Sequence, residues 1–195
     1  MPSPNALICG SFAYDTIMVY PELFKDSILP DKVHALNVAF LVPELRREFG
    51  GCAGNIAYTL KLLGGTGKAM GTVGKDFASY ATWLDAQDIS REYVQIIENE
   101  YTAQAYITTD KADNQITAFH PGAMGQAHTQ AIPTTGFNLG IVSPDGRDAM
   151  ITHAAQFAAA NIPFIFDPGQ GLPMFGGDDL RTFIQQASYV TVNDY

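Results

Sequence analysis

Six short and largely apolar runs, at residues 6–9, 68–73, 94–97, 139–142, 163–166 and 189–192, punctuate the chain and read as buried strands. Helix-period segments lie between several of them, at 55–63, 77–87, 147–161 and 178–187. In the third, Met150, Ala154, Phe157 and Ala158 recur at three- and four-residue steps and share one face. Strands alternating with helices require a parallel sheet covered on both sides, because each strand must be buried on both faces. Ligands of such sheets bind beyond the carboxyl ends of the strands.

Two stretches break the alternation. Residues 31–42 (DKVHALNVAFLV) and 102–119, the latter with a polar turn at 110–114 between extended arms, predict strands outside the main sheet. They read as a small β lid over the ligand site. No internal repeat or low-complexity tract marks a second independent domain.

At 195 residues and 47% hydrophobic, the chain can bury one sizeable core. Its formal charge of −9 argues against a nucleic-acid surface or an anionic membrane as partner, so any phosphate must be held locally. Cys9 and Cys52 are the only cysteines, which fits a reducing compartment rather than a disulfide or zinc scaffold. No stretch reaches the ~18 apolar residues that span a bilayer, and a cytoplasmic protein is expected.

Gly50-Gly51-Cys52-Ala53-Gly54-Asn55 runs directly into a helix-period segment. Glycines let backbone approach a ligand, helix-start N–H groups point outward, and Asn55 adds a donor and an acceptor, so the expected guest is rich in hydroxyls or negatively charged. A purely structural turn explains the glycines equally well. Asp15, just past the first strand in GSFAYD, offers a carboxylate that can accept two hydroxyl hydrogens of a sugar diol, although a capping Asp fits there too. Asp167-Pro168-Gly169-Gln170 follows another strand, where the Gln170 amide could read a ligand edge or merely close a turn. Asn193-Asp194-Tyr195 follows the last strand at the same edge, facing phosphates or hydrated Mg²⁺ if it is not simply a frayed end. Phe119, in Phe119-His120-Pro121-Gly122-Ala123-Met124, ends a lid strand where its ring could cover a base. Gly64-Gly65-Thr66-Gly67-Lys68 is not a phosphate loop, since Leu62 and Ala69 occupy positions that need glycine and Ser or Thr. His34, His120, His128 and His153 have no metal-type spacing.

Taken in order, GSFAYD, GGCAGN, the lid segments with TAQAYITTD and ITAFHPGAM, DPGQ and the terminal NDY resemble the ribokinase-like (pfkB) family of sugar and nucleoside kinases. Within it the wording is most similar to bacterial adenosine kinases. The resemblance implies an α/β fold, a doubly wound and mostly parallel sheet with a small β lid. It makes residues 1–195 the N-terminal portion of such a kinase domain, with the C-terminal part missing. It implies that Asp15, Gly51 and Asn55 hold ribose hydroxyls, that Ser11 and Gly50 line the same pocket, that Phe119 covers a purine which Gln170 approaches, and that Asn193 nears ATP phosphates and Mg²⁺. The family's Gly-Ala-Gly-Asp segment, with its anion hole and catalytic Asp, would lie beyond residue 195, so this chain alone is expected to be inactive. The resemblance implies ATP and Mg²⁺ for the intact protein, a small-molecule nucleoside or sugar as substrate, and allows a homodimer through the lid. A ribokinase- or fructokinase-like sugar kinase and a non-catalytic nucleoside-binding fragment remain the alternatives.

Overall fold

The computed structural model describes residues 5–28 and 36–193. Strand β1 (Asn5–Cys9) is the centre of the molecule because its side chains alternate between two cores. Ala6 and Ile8 pack toward one cluster and Leu7 and Cys9 toward the other, so this one strand is buried on both faces. It pairs in parallel with β4 (Thr66–Gly74) on one side and with β8 (Leu139–Val142) on the other. With β5 (Tyr93–Ile97), β9 (Phe164–Phe166) and β10 (Tyr189–Val190), the sheet runs β10-β9-β8-β1-β4-β5, all parallel.

Helices α2 (Cys52–Leu62) and α3 (Ala78–Ala86) supply Ala53, Ala57, Tyr80 and Leu84 to the Ala6/Ile8 core. Helices α4 (Arg147–Ala159) and α5 (Gly177–Gln186) supply Met150, Ala154, Phe157 and Phe183 to the opposite core. The remaining helix, α1 (Phe24–Ser27), is a single turn. All six expected strands and all four expected helices therefore form, the last strand being shorter than its apolar run and α2 beginning three residues before Asn55. No helix among the described residues is long and apolar enough to cross a membrane.

A second sheet of four strands, ordered β3-β2-β6-β7, stands at the carboxyl edge of the first and forms the lid. Its strands are β2 (Ala13–Val19), β3 (Glu44–Gly50), β6 (Ala103–Thr109) and β7 (Gln115–His120). The expected lid segment at 102–119 is the β6–β7 hairpin. Its turn is tied by the buried Asp110 carboxylate, which accepts N–H bonds from Phe24, Ala112 and Asn114 at 2.9–3.0 Å. The expected lid strand at 31–42 is corrected: 36–42 form no strand, and 31–35 lie outside the described residues. The strand lies instead at Glu44–Gly50, whose ELRREFG shows little apolar alternation because most of its side chains are exposed. GSFAYD does not end in a loop at the sheet edge either; its last three residues open β2.

Candidate functional site

Strand order reverses at β1, since the chain passes from β1 to β4 and β5 and returns to β8 on the other side. Loops leaving β1 and β8 therefore diverge there and open a crevice. The two loops are stitched together: Ser11 N–H donates to Pro144 C=O at 3.0 Å, and the Ser143 hydroxyl donates to Cys9 C=O at 2.9 Å.

The glycine turn meets this crevice from the side. Gly51 has φ +89°, and a Cβ there would come within 2.5–2.6 Å of Ser11 O, Ala13 N and Phe12 Cα. Only glycine lets these two backbone segments cross so closely. Helix α2 starts immediately, and its first two N–H groups are already bonded. Ser11 takes two of them: its Oγ accepts from Cys52 N–H at 3.1 Å and its C=O from Ala53 N–H at 2.9 Å. Ser11 thus caps α2 from 41 positions away and leaves fewer of its first N–H groups for an anion. Of the two guests the sequence allowed, hydroxyls rather than negative charge match the side chains that remain free.

Asp15 is the first of these. The carboxylate is half-buried and accepts no hydrogen bond from any described residue. A side chain at Gly50 would collide with it, so glycine is needed there to leave it room, while Gly50 C=O is occupied by the Tyr80 hydroxyl at 2.8 Å. Burial, and then the Glu48 carboxylate beside it, raise the Asp15 pKa above its ordinary value. Register places Glu48, Asp15, Ala105 and Phe119 in one row across the lid. Residues in such a row share a face. Asp15 and Phe119 are therefore on the same side of the sheet, two strands or about 10 Å apart, with only the Ala105 methyl between them. The next row toward the main sheet holds Gly50, Ala13 and Ala103, all small. The outcome is a shallow slot with a carboxylate at one end and a ring that is 51% exposed at the other.

Asn55 sits on the first turn of α2 with an exposed side chain, and its own N–H donates to Gly51 C=O at 3.1 Å. Gln170 is exposed in the 3-10 turn Gly169–Met174, which follows β9. Asn193 is exposed three residues beyond β10, at the far edge of the sheet; Asp194 and Tyr195 lie outside the described residues. Ser11, Asp15, Gly50 and Gly51 are thus drawn together by direct contacts, whereas Gln170 and Asn193 are at the same carboxyl edge without a contact to them. Among the described residues no group of three His, Cys, Asp or Glu side chains could hold a metal ion.

Asp145 was invisible in the sequence, where Ser-Pro-Asp-Gly reads as an ordinary turn before a helix. It is 3% exposed; Oδ1 accepts the Gly146 N–H at 2.8 Å, and Oδ2 is buried with no partner. Burial raises its pKa to about 7, against a smaller lowering by the Gly146 N–H. A folded-state value above the ordinary 3.8 means that the folded protein holds this proton more tightly than the unfolded chain. Asp145 therefore supports folding fully below pH ~4 and loses that support as pH rises through about 7. We expect Asp145→Asn to be more stable than wild type at pH 8, by about 1–3 kcal/mol after the unpaired amide is counted, and to lose the gain at pH 4. Thermal unfolding at the two values checks this, and equal differences at both would refute it.

Known proteins resemble this chain in sequence and in fold. The model of the pfkB family carbohydrate kinases matches residues 11–195. A nucleoside kinase of Methanocaldococcus jannaschii is 33% identical over 162 residues, covering 82% of this chain and 53% of that protein. The structure of Burkholderia thailandensis nucleoside kinase in complex with inosine superposes with a TM-score of 0.86 at 52% identity, covering 97% of this chain and 61% of that one. The same kinase in complex with ADP-inosine gives 0.81 at 55% identity, over 97% and 60%. The chain thus spans between half and two thirds of the length of these relatives.

Proposed function

Since the chain belongs to the pfkB family of carbohydrate kinases, we propose that its slot binds a nucleoside, and that the protein transfers the γ-phosphoryl of MgATP to the ribose 5′-hydroxyl. The observation that carries this reading is the row joining Asp15 to Phe119 on one lid face. In it, Asp15 accepts ribose hydroxyls with both oxygens, Asn55 adds an amide from the helix side, and the Gly50-Gly51 backbone lets the sugar approach. Ser11 holds the turn in place as the cap of α2. Phe119 lies against the purine, and Gln170 reaches its edge from β9. Asn193 nears the ATP phosphates.

Adenosine is our preferred substrate on the motif resemblance, and the inosine and ADP-inosine complexes of the Burkholderia kinase support a purine nucleoside and an adenine nucleotide as donor. These residues would supply positioning, which in phosphoryl transfer accounts for much of catalysis. The homodimer through the lid has support in the exposed Leu45 and Ile116, which fall in one row of the lid's other face. A sugar kinase would use the same Asp15 and Asn55 but gains nothing from an aromatic ring at position 119.

The test follows from that difference. Calorimetry should show adenosine or inosine binding more tightly than ribose, and Phe119→Ala should weaken the nucleosides by ~1–3 kcal/mol, the worth of one stacked base, while leaving ribose unchanged. Equal affinity for ribose and nucleoside would favour the sugar-kinase reading.

A further inference from the structure

Behind the lid, on the face opposite Asp15, lies an open groove of about 460 Å³ lined by Thr16, Arg47, Asp76, Gln104, Tyr106 and His120, among others. Its floor is a polar knot around one residue. Asp76 belongs to the turn between β4 and α3 of the main domain, yet it holds three of the four lid strands. Its Oδ1 accepts the Thr102 N–H, just before β6, at 2.8 Å, and its Oδ2 accepts the Gln104 amide of β6 at 2.9 Å. Arg47 of β3 stands 3.8 Å from Oδ2 and donates to Gln104 Oε1 at 3.4 Å. The Asp76 carbonyl accepts the Tyr14 hydroxyl of β2 at 3.0 Å, and the Arg47 guanidinium lies 3.8 Å over the Tyr14 ring.

We propose that Asp76 is the positioning residue of the lid, the post that fixes the angle at which Asp15 and Phe119 meet the nucleoside; this rests on the functional reading given above. The chain of contacts is short. Tyr14 and Asp15 are consecutive in β2 and point to opposite faces, so whatever holds Tyr14 also orients the Asp15 carboxylate. Gln104 precedes Ala105, the methyl at the centre of the slot, and pairs in register with His120, the neighbour of Phe119. The crossing at Thr102 has no slack of its own. A Cβ at Gly74 or at Gly122 would collide with the Tyr101–Thr102 backbone, and the Thr102 hydroxyl accepts the Gly74 N–H at 3.0 Å. The lid is thus pinned at its root by packing, and its angle is set by Asp76, whose carboxylate faces β6 and β3 and whose main-chain carbonyl holds Tyr14 of β2. Bonds to an ionised group are the stronger kind, and this one is only partly exposed, so solvent does not readily replace it. Asp76 touches no residue of the slot; its side chain acts through Thr102, Gln104 and Arg47, and its main-chain carbonyl through Tyr14.

The test compares wild type, Asp76→Ala and Asp76→Asn in the 195-residue chain, by inosine calorimetry and by amide hydrogen exchange. Asp76→Ala should weaken inosine about tenfold and speed exchange in β6, with β1 and α4 unchanged. Asp76→Asn keeps an acceptor for the Thr102 N–H and should recover a good part of both losses. Faster exchange spread evenly over lid and main sheet would overturn the proposal, as would wild-type exchange in β6 of Asp76→Ala. Wild-type affinity in Asp76→Ala overturns it too. If wild type bound no nucleoside, the functional reading would fall, and the exchange comparison would still decide whether Asp76 holds the lid.

Discussion

Asp15→Ala is expected to lower nucleoside affinity by about 10²-fold or more while leaving the fold intact. Each hydroxyl bonded to a carboxylate is worth roughly 1.5–3 kcal/mol, and this carboxylate has two oxygens with no partner among the described residues. The fold should not suffer, because the ionised group is already held against burial and the neighbouring Glu48. Asp15→Asn, with one acceptor left, should fall between. Calorimetry with inosine, beside thermal unfolding of the same preparations, separates the two effects. Wild-type affinity in Asp15→Ala would remove Asp15 from the site, and a collapsed fold would make it a structural residue.

Gly51→Ala should do the reverse and cost folding first. Its φ of +89° strains any residue with a Cβ, at ~1–3 kcal/mol, and the new methyl would press on three backbone atoms within 2.5–2.6 Å. Backbone cannot step aside as a side chain can. Together these should exceed 4 kcal/mol, a large share of the ~5–15 kcal/mol that holds a domain folded. Gly50→Ala is the control, since the side chain it meets is Asp15 itself. It should bind weakly yet unfold near the wild-type midpoint in urea. If both variants unfolded alike, the division between a structural glycine and a ligand-side glycine would be lost.

The main sheet was legible because its inner strands are largely buried, and burial writes itself as apolar runs such as 139–142 and 163–166, while the exposed edge strands β5 and β10 still carry short apolar runs. The lid was legible only in part. Its β6–β7 hairpin carries a polar turn between extended arms, but β3 is ELRREFG, charged and exposed, and nothing in its alternation announces a strand. The more conspicuous apolar stretch before it drew the assignment away. At the site, Asp15, Gly51 and Asn55 could be picked out because their residue types and order are unusual in combination. Ser11 stood out in the sequence only as a residue expected to line the pocket, and its capping of α2 depends on two loops distant in sequence meeting in space. Asp76 and Asp145 were missed for the same reason: an aspartate in a turn looks alike whether it is solvated, tied to three strands, or buried with an oxygen unpaired.

Tyr14 and Asp15 stand side by side in β2, one anchored behind the lid and the other open in front of it. This adjacency makes the length of the segment between Gly10 and Asp15 a fixed quantity. One inserted or deleted residue there would turn the strand by a half period, carrying the phenol into the slot and the carboxylate onto the anchoring face. Variation that preserves this protein must therefore come by substitution along GSFAYD and not by change of its length, whereas a larger side chain at Ala105, between Asp15 and Phe119, would fill the slot without shifting its register.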